Sequence, residues 1–233
     1  MNLQGKRLLI TGGAKRIGFT IASRMAQAGC VILLHARNMD AAQAAVEALP
    51  GHGHRAVSGD LAVPEEVENI CRQAGEFELL VNNAAIFHRP GSAEDAASAE
   101  LYRQINYLAP RQLLKYFFQQ NIAEGAAVNL TDAFALLPGA GAYWQSKCDL
   151  NELTRNLAVK WAKRDFRINA VAPGPMLPPP WAPESRMEKI LQTVPLHRRI
   201  APEAVAKMVE FLLQCDSMTG AVIPVDCGIS ARQ

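Results

Sequence analysis

Long apolar runs are missing from this chain of 233 residues. Stretches such as Leu8 to Ile10 and Val31 to Leu34 fall far short of the roughly 20 apolar residues a membrane-spanning helix needs. The opening Met1 to Arg7 has neither the apolar stretch nor the cleavage site of a secretory signal, which sets the expectation of a cytoplasmic protein. The five cysteines (30, 71, 148, 215 and 227) are scattered and form no Cys-x-x-Cys pair, so reduced thiols are expected rather than a zinc or dithiol centre. Gly51-His52-Gly53-His54 lacks an acidic or cysteine partner and reads as a surface turn, not a metal site. A net charge of +2 gives no reason to expect nucleic acid or membrane as a partner. What is present is ordinary globular material: 49% apolar and 20% charged residues, enough to bury a core, over a length that suits one domain, residues 1–233.

Apolar β-rich runs alternate with helix-like stretches along the chain. Strands are expected at Arg7 to Thr11, Cys30 to His35, Arg55 to Ser58, Leu79 to Asn82, Ala126 to Leu130, Arg167 to Ala172 and Val222 to Val225. Helices are expected at Ile17 to Ala28, Ala41 to Leu49, Glu65 to Gln73, Glu100 to Gln120, Tyr143 to Lys163 and Pro202 to Leu213. Strands separated by helices pair in parallel through right-handed crossovers, so the fold class is α/β, a doubly wound parallel sheet with helices on both faces. Its ligands sit beyond the carboxyl ends of the strands. Pro173 to Pro183 is too rich in proline for a regular element, and a substrate loop is expected near 174–195.

Thr11-Gly12-Gly13-Ala14-Lys15-Arg16-Ile17-Gly18 lies between the first strand and the first helix. Glycines there let backbone amides approach a pyrophosphate at a helix N-terminus, the arrangement of a Rossmann-type fold; a tight turn without a ligand is the alternative. An acid at the end of the second strand would bind the ribose hydroxyls of NAD. Here the stretch is Leu34-His35-Ala36-Arg37-Asn38, without one. Arg37 suits a 2′-phosphate, with Lys15 and Arg16 adding charge nearby, so the expected cofactor is NADP(H). Asp40 is expected to help start the next helix.

Tyr143-Trp144-Gln145-Ser146-Lys147 places tyrosine and lysine four apart, on one face of a helix. An ammonium near a phenol favours phenolate and is expected to lower the tyrosine pKa towards working pH. By spacing alone the pair also fits an ordinary amphipathic helix.

The ordered set of segments resembles the short-chain dehydrogenase/reductase family over nearly the whole chain. Thr11-Gly12 to Gly18 resembles its nucleotide turn, and Asp60-Leu61 its adenine-contacting pair. Asn82-Asn83-Ala84-Ala85 resembles the segment that steadies the sheet and borders the cofactor. Asn106 resembles the helix asparagine that anchors a proton-relay water, and Tyr143 with Lys147 the active-site pair. Pro173-Gly174 resembles the turn bordering the nicotinamide, and Thr219-Gly220 with Pro224-Val225-Asp226 the closing segment. The resemblance implies an NADP(H)-dependent oxidoreductase acting on a small molecule. It also implies a homo-oligomer, a tetramer built through the helices at Glu100–Gln120 and Tyr143–Lys163.

Three departures narrow the reading. Arg16 stands where the family has its middle glycine, Asp132 stands where it has its catalytic serine, and the segment from Asp132 to Tyr143 is short. The first two, with an aromatic at Phe87, resemble the pteridine reductase branch. There Arg16, Phe87, Asp132 and Tyr143 frame a pterin-like ring, and Phe87 stacks it against the nicotinamide; a core or lid aromatic is the other reading of Phe87. An ionised Asp132 would repel the oxyanion formed when a ketone is reduced, whereas a carbon–nitrogen double bond needs a proton on nitrogen. A protonated Asp132 would readmit a carbonyl. The expected activity is therefore reduction of a dihydropterin or dihydrofolate. Reduction of a ketone or oxoacyl group is the alternative, and a non-catalytic NADP-binding regulator, which need not keep Asn106, Tyr143 and Lys147, is a third. His35, His88 and His197 are given no catalytic role.

Overall fold

A computed structural model describes residues 1–87, 96–178 and 182–232; His88 and residues 179–181 of the proline-rich stretch lie outside them. The strands are β1 (Arg7–Ile10), β2 (Val31–Ala36), β3 (Arg55–Ser58), β4 (Leu79–Asn82), β5 (Gly125–Leu130), β6 (Phe166–Pro173) and β7 (Val222–Val225). They form one sheet in the order β3-β2-β1-β4-β5-β6-β7, and every neighbouring pair is parallel. The helices between them are α1 (Arg16–Gln27), α2 (Met39–Glu47), α3 (Pro64–Ala74), α4 (Ala96–Arg103), α5 (Ala109–Gln119), α6 (Ala142–Trp161), α7 (Glu184–Thr193) and α8 (Pro202–Gln214). This is the Rossmann-type doubly wound sheet the alternation predicts. Its strand order reverses between β1 and β4, which opens a crevice beyond their carboxyl ends.

The strands are apolar on both faces because helices cover both. Along β1 successive side chains alternate. Leu8 and Ile10 pack with Ile21 and Met25 of α1 and Val205 and Leu212 of α8, while Leu9 packs with Val67 and Ile70 of α3 and Leu113 and Phe117 of α5. Local signals set the helix ends. Pro64 opens α3, Glu65 and Glu66 lie in its first turn and Arg72 in its last, matching the helix dipole at both ends.

Strand and helix ends fall within a residue or two of expectation, with four instructive differences. Asp40 lies in the first turn of α2 as expected, but the cap is Asn38, whose side chain accepts from the amides of Asp40 and Ala41. The single helix expected over Glu100 to Gln120 is α4, a π-helical turn at Gln104–Leu108, and α5. Pro110 has no N–H for the carbonyl of Asn106 four residues back, and the chain widens there, Ala109 N–H reaching Gln104 instead. The long helix expected to reach Lys163 ends at Trp161 and tightens into a 3-10 turn, Ala162–Arg164. Finally, the loop expected near 174–195 contains α7, which begins directly after Pro183 and buries Met187. Among the described residues no helix is long and apolar enough to cross a membrane, and no cluster of histidine, cysteine or acidic side chains is placed to hold a metal ion.

Candidate active site

The crevice is built first from backbone. Gly12 has φ +62°, and a Cβ on Gly18 would lie 2.2 Å from the Gly12 carbonyl oxygen, so α1 crosses the turn at a distance only glycine permits. Arg16, where a third glycine was missing, still adopts the left-handed backbone, φ 54°. Lys15 precedes α1 in an extended conformation and makes no capping hydrogen bond, which leaves the first-turn amides of a 12-residue helix facing the crevice mouth. Asn83 fixes the turn from the far side. Its Nδ2 donates to the carbonyls of Thr11 (2.8 Å) and Gly12 (3.1 Å), while the Thr11 hydroxyl accepts from the amides of Asn83 and Ala84. The Asn82 side chain donates to Asn129, its cross-strand neighbour, and Asn129 donates to Thr154 of α6, a buried polar ladder that holds β4, β5 and α6 together.

Arg37 is exposed one residue past β2, and Lys15 and Arg16 are exposed on the turn. The Arg16 guanidinium donates to the carbonyls of Leu177 (3.3 Å) and Pro178 (2.9 Å), so it ties the nucleotide turn to the start of the substrate loop. Asp60 accepts from the Ala62 amide at 2.9 Å and shapes the turn after β3. Leu61 is buried in the core, which leaves only its backbone for a ligand. Pro173 ends β6. At Gly174 a Cβ would meet the Asp226 backbone at 2.8 Å, so the closing segment packs directly on that turn.

The proton-handling groups sit beyond β5. The Tyr143 hydroxyl donates to Asp132 Oδ2 at 2.8 Å, and Asp132 Oδ1 accepts from the Phe134 amide at 2.9 Å. Lys147, one turn along α6, is buried and donates to the Leu130 carbonyl at 3.0 Å. Burial pushes the Asp132 carboxyl above the usual carboxylate range, although the Phe134 amide, Tyr143 and Lys147 pull the other way. Lys147 is lowered to about 8 by burial, against the attraction of Asp132. Tyr143 is raised well above its ordinary value by burial and by Asp132. This corrects the expected lowering of Tyr143: the nearest charged partner of the phenol is a carboxylate, so the phenol stays neutral.

Asn106 is fully buried in the widened turn. Its Oδ1 accepts from the Ile86 amide (2.9 Å), and its Nδ2 donates to the Ile86 carbonyl and to the Ser146 hydroxyl (both 3.2 Å). The next residue, Phe87, lays its ring 4.6 Å from that of Tyr143 at 53°, and Tyr102 meets Tyr143 edge-on at 5.8 Å. Tyr102 and Ser146 were missed in the sequence. Tyr102 falls four residues before Asn106, a helical spacing that signals it; Ser146 carries no local signal. Trp144 was missed as well. Its indole N–H is shared between the carbonyls of Phe134 and Leu137 (both 3.2 Å), which binds the short Asp132-to-Tyr143 segment to α6.

The arrangement suits a dinucleotide. A Cβ on Gly12 or Gly18 would run into Asn83, which holds the turn, and the side-chain amide oxygen of Asn83 is buried there without a protein partner. The buried Lys147 ammonium spends one N–H on Leu130, leaving donors for ribose hydroxyls. A hollow of about 530 Å³ at the opposite end of the sheet, lined by Lys6, Arg7, Glu76, Glu78, Glu124 and Asp165, is closed chemically by its own ion pairs, Lys6–Glu124 at 3.1 Å and Arg7–Glu78 at 3.2 Å.

A seven-stranded parallel sheet with this turn and this tyrosine–lysine helix defines a nicotinamide-dependent oxidoreductase. The family described as enoyl-(acyl carrier protein) reductase matches residues 12–230, and the chain belongs to the short-chain dehydrogenase/reductase family. It is 32% identical to carbonyl reductase family member 4 of Danio rerio over 95% of this chain and 96% of that one. It is 30% identical to the 3-oxoacyl-(acyl-carrier-protein) reductase FabG of Thermotoga maritima over 98% of this chain and 99% of that one. Among solved structures, FolM alternative dihydrofolate reductase 1 from Brucella canis, complexed with NADP, superposes with a TM-score of 0.85 at 29% identity, covering 100% of this chain and 97% of that one. The NADP held by that neighbour agrees with the cofactor expected from Arg37.

Proposed function

We propose that the protein is a cytoplasmic NADPH-dependent reductase of a pterin-like heterocycle, a dihydropterin or dihydrofolate. The observation that carries this reading is the 2.8 Å hydrogen bond from Tyr143 to Asp132, in the position of the family's serine, beside the ring of Phe87. When bound, the reduced nicotinamide supplies the hydride. Gly12, Gly18, Asn83, Ala84 and the first-turn amides of Arg16, Ile17 and Gly18 cradle the pyrophosphate. Asp60 and Leu61 border the adenine, while Lys15 and Arg37 face the 2′-phosphate; the Arg16 guanidinium is turned instead to Leu177 and Pro178, on the substrate side. Pro173 and Gly174 border the nicotinamide.

Reducing a ring carbon–nitrogen double bond takes hydride at carbon and a proton at nitrogen. Tyr143, held as a neutral phenol, gives up its proton there. Asp132 passes on the replacement proton that water supplies, and the pair titrates as a unit. Lys147 binds ribose hydroxyls and steadies the transient phenolate. Asn106, from the widened turn, supports proton supply through water. Phe87 stacks on the flat ring. The homotetramer implied by the family resemblance would use α5 and α6, where Val159 is 82% exposed.

A second reading is reduction of a ketone or oxoacyl group, in which a protonated Asp132 would donate a hydrogen bond as serine does. The named reductases of Danio rerio and Thermotoga maritima support the same reading. NADPH oxidation with dihydrobiopterin, dihydrofolate and a ketone panel separates the two. The pterin reading expects turnover of the heterocycles that Asp132→Ser depresses while sparing or improving ketone reduction. Ready reduction of ketones with none of the heterocycles overturns it.

A further inference from the structure

The next-to-last residue of β2 is a histidine in an otherwise apolar strand. His35 is 2% exposed and pairs in register with Val57 of β3. Both ring nitrogens are engaged by backbone. The Gly12 amide donates to Nδ1 at 3.3 Å, and Nε2 lies 2.9 Å from the Gly59 carbonyl. A carbonyl only accepts and an amide N–H only donates, so Nε2 carries the hydrogen, Nδ1 is bare and the ring is neutral. The His35 carbonyl accepts from Gly13 at 2.9 Å. One residue thus holds Gly12 and Gly13 of the nucleotide turn and the backbone step before Asp60-Leu61. These are the two segments assigned above to pyrophosphate and adenine.

We propose that His35 is a positioning residue for NADP(H): in its neutral form it fixes the spacing between the Gly12 turn and the Gly59–Leu61 wall, and its protonation releases the turn. The inference rests on the cofactor assignment above. An imidazolium would present an N–H at Nδ1 to the N–H of Gly12, donor against donor, inside a strand end closed to water. Burial already disfavours the charged ring. Of the charged groups around it, Asp60 on the turn after β3 favours the imidazolium. Arg37, past the end of the same strand, and Lys15 and Arg16, on the turn before α1, are exposed to solvent.

NADP⁺ affinity measured by calorimetry between pH 4.5 and 8 tests this in the full-length protein, His35→Leu and His35→Asn, with melting curves at each pH to confirm that each is folded. Asparagine keeps an acceptor near the Nδ1 position but does not titrate. The expected result is a loss of about tenfold or more in His35→Leu at pH 8, from one lost hydrogen bond to a buried amide and its desolvation. His35→Asn should bind within a few-fold of the unmodified protein at pH 8. The unmodified protein should lose affinity more steeply than His35→Asn as the pH falls. Titration of the cofactor's own 2′-phosphate is common to all three and cancels in the comparison. Equal affinities and equal pH slopes in all three proteins overturn the role of His35 and leave the cofactor assignment standing. An unmodified protein that binds no NADP⁺ overturns both. If His35→Leu does not fold, the difference in slope between the unmodified protein and His35→Asn decides alone.

Discussion

The two halves of the crevice are held by different means. On the cofactor side the restraints are short, buried and largely backbone: Gly12 against Gly18, Asn83 on two carbonyls, and His35 on an amide and a carbonyl. On the substrate side they are side chains reaching across exposed segments. Arg16 spans to Leu177 and Pro178, Trp144 holds Phe134 and Leu137, and Phe87 leans on Tyr143 while 43% exposed. Backbone restraints admit few residue types, so the cofactor half keeps the family's pattern even where Arg16 replaces a glycine and still takes its φ. Side-chain restraints can be exchanged, and two of the three departures from the family pattern, Asp132 and the short segment after it, lie on that half.

The strongest break falls where the halves meet. Tyr143→Phe is expected to cost about 10²–10⁴ in turnover, the usual cost of losing a general acid, with cofactor affinity kept. Single-turnover rates equal to those of the unmodified enzyme would show that Tyr143 does not carry the proton.

On the cofactor side, Arg37→Asp replaces a charge-assisted contact with repulsion and should weaken NADPH binding about tenfold or more. NADH should be affected far less. Fluorescence titration of both cofactors reads the ratio, and equal affinities for the two in the unmodified protein would remove Arg37 from the site.

The pH response sharpens the comparison from within. Lys147 loses its charge as the pH rises through about 8, so kcat/KM should fall between pH 7 and 9. Stability should move the other way. The ordinary lysine value is 10.5, so above pH 8 an unfolded chain keeps a proton that the folded chain has released. Unfolding then takes up a proton, and the contribution of Lys147 to stability rises with pH. From about pH 9 the buried thiols of Cys30 and Cys71, pushed up to about 12 by burial, act in reverse, because the unfolded chain then loses protons that the folded chain keeps. Denaturant melts at pH 7, 8 and 9 should show Lys147→Met losing the rise that the unmodified protein shows between pH 8 and 9.

The smallest effect belongs to the substrate half. Phe87→Ala should weaken binding of a flat substrate by roughly 1 kcal/mol, about fivefold, and leave NADPH affinity unchanged. An unchanged KM for the heterocycle would mean that the ring only shields Tyr143.

What the sequence shows and what it hides follow the same division. The strand–helix alternation, the nucleotide turn and the Tyr143–Lys147 pair are contiguous signals, and all are found in place. The contacts between Asn106 and Ser146, 40 residues apart, and between His35 and Gly12, 23 apart, leave no local trace. The helix α7 was hidden by its prolines: Glu184–Thr193 offers only Met187, Ile190 and Leu191 as apolar residues, and Pro183, which looks like a breaker, stands where the helix begins. The direction of the Tyr143 shift was misread because a lysine four residues away in sequence was weighed without the carboxylate that folding brings nearer.

The widened turn at Gln104–Leu108 has a consequence for how this enzyme tolerates change. It holds one residue more than a regular helix would use. Deleting a single residue there would restore ordinary winding with the helices on either side still in phase, whereas the same deletion in a regular helix turns everything before it by about 100° and shifts it about 1.5 Å along the axis. α5 would keep its place against the sheet and α4 its face, while the bulge that carries Asn106 to Ile86 would close. The extra residue at this one turn serves the reach of Asn106 more than the packing of the helices it joins.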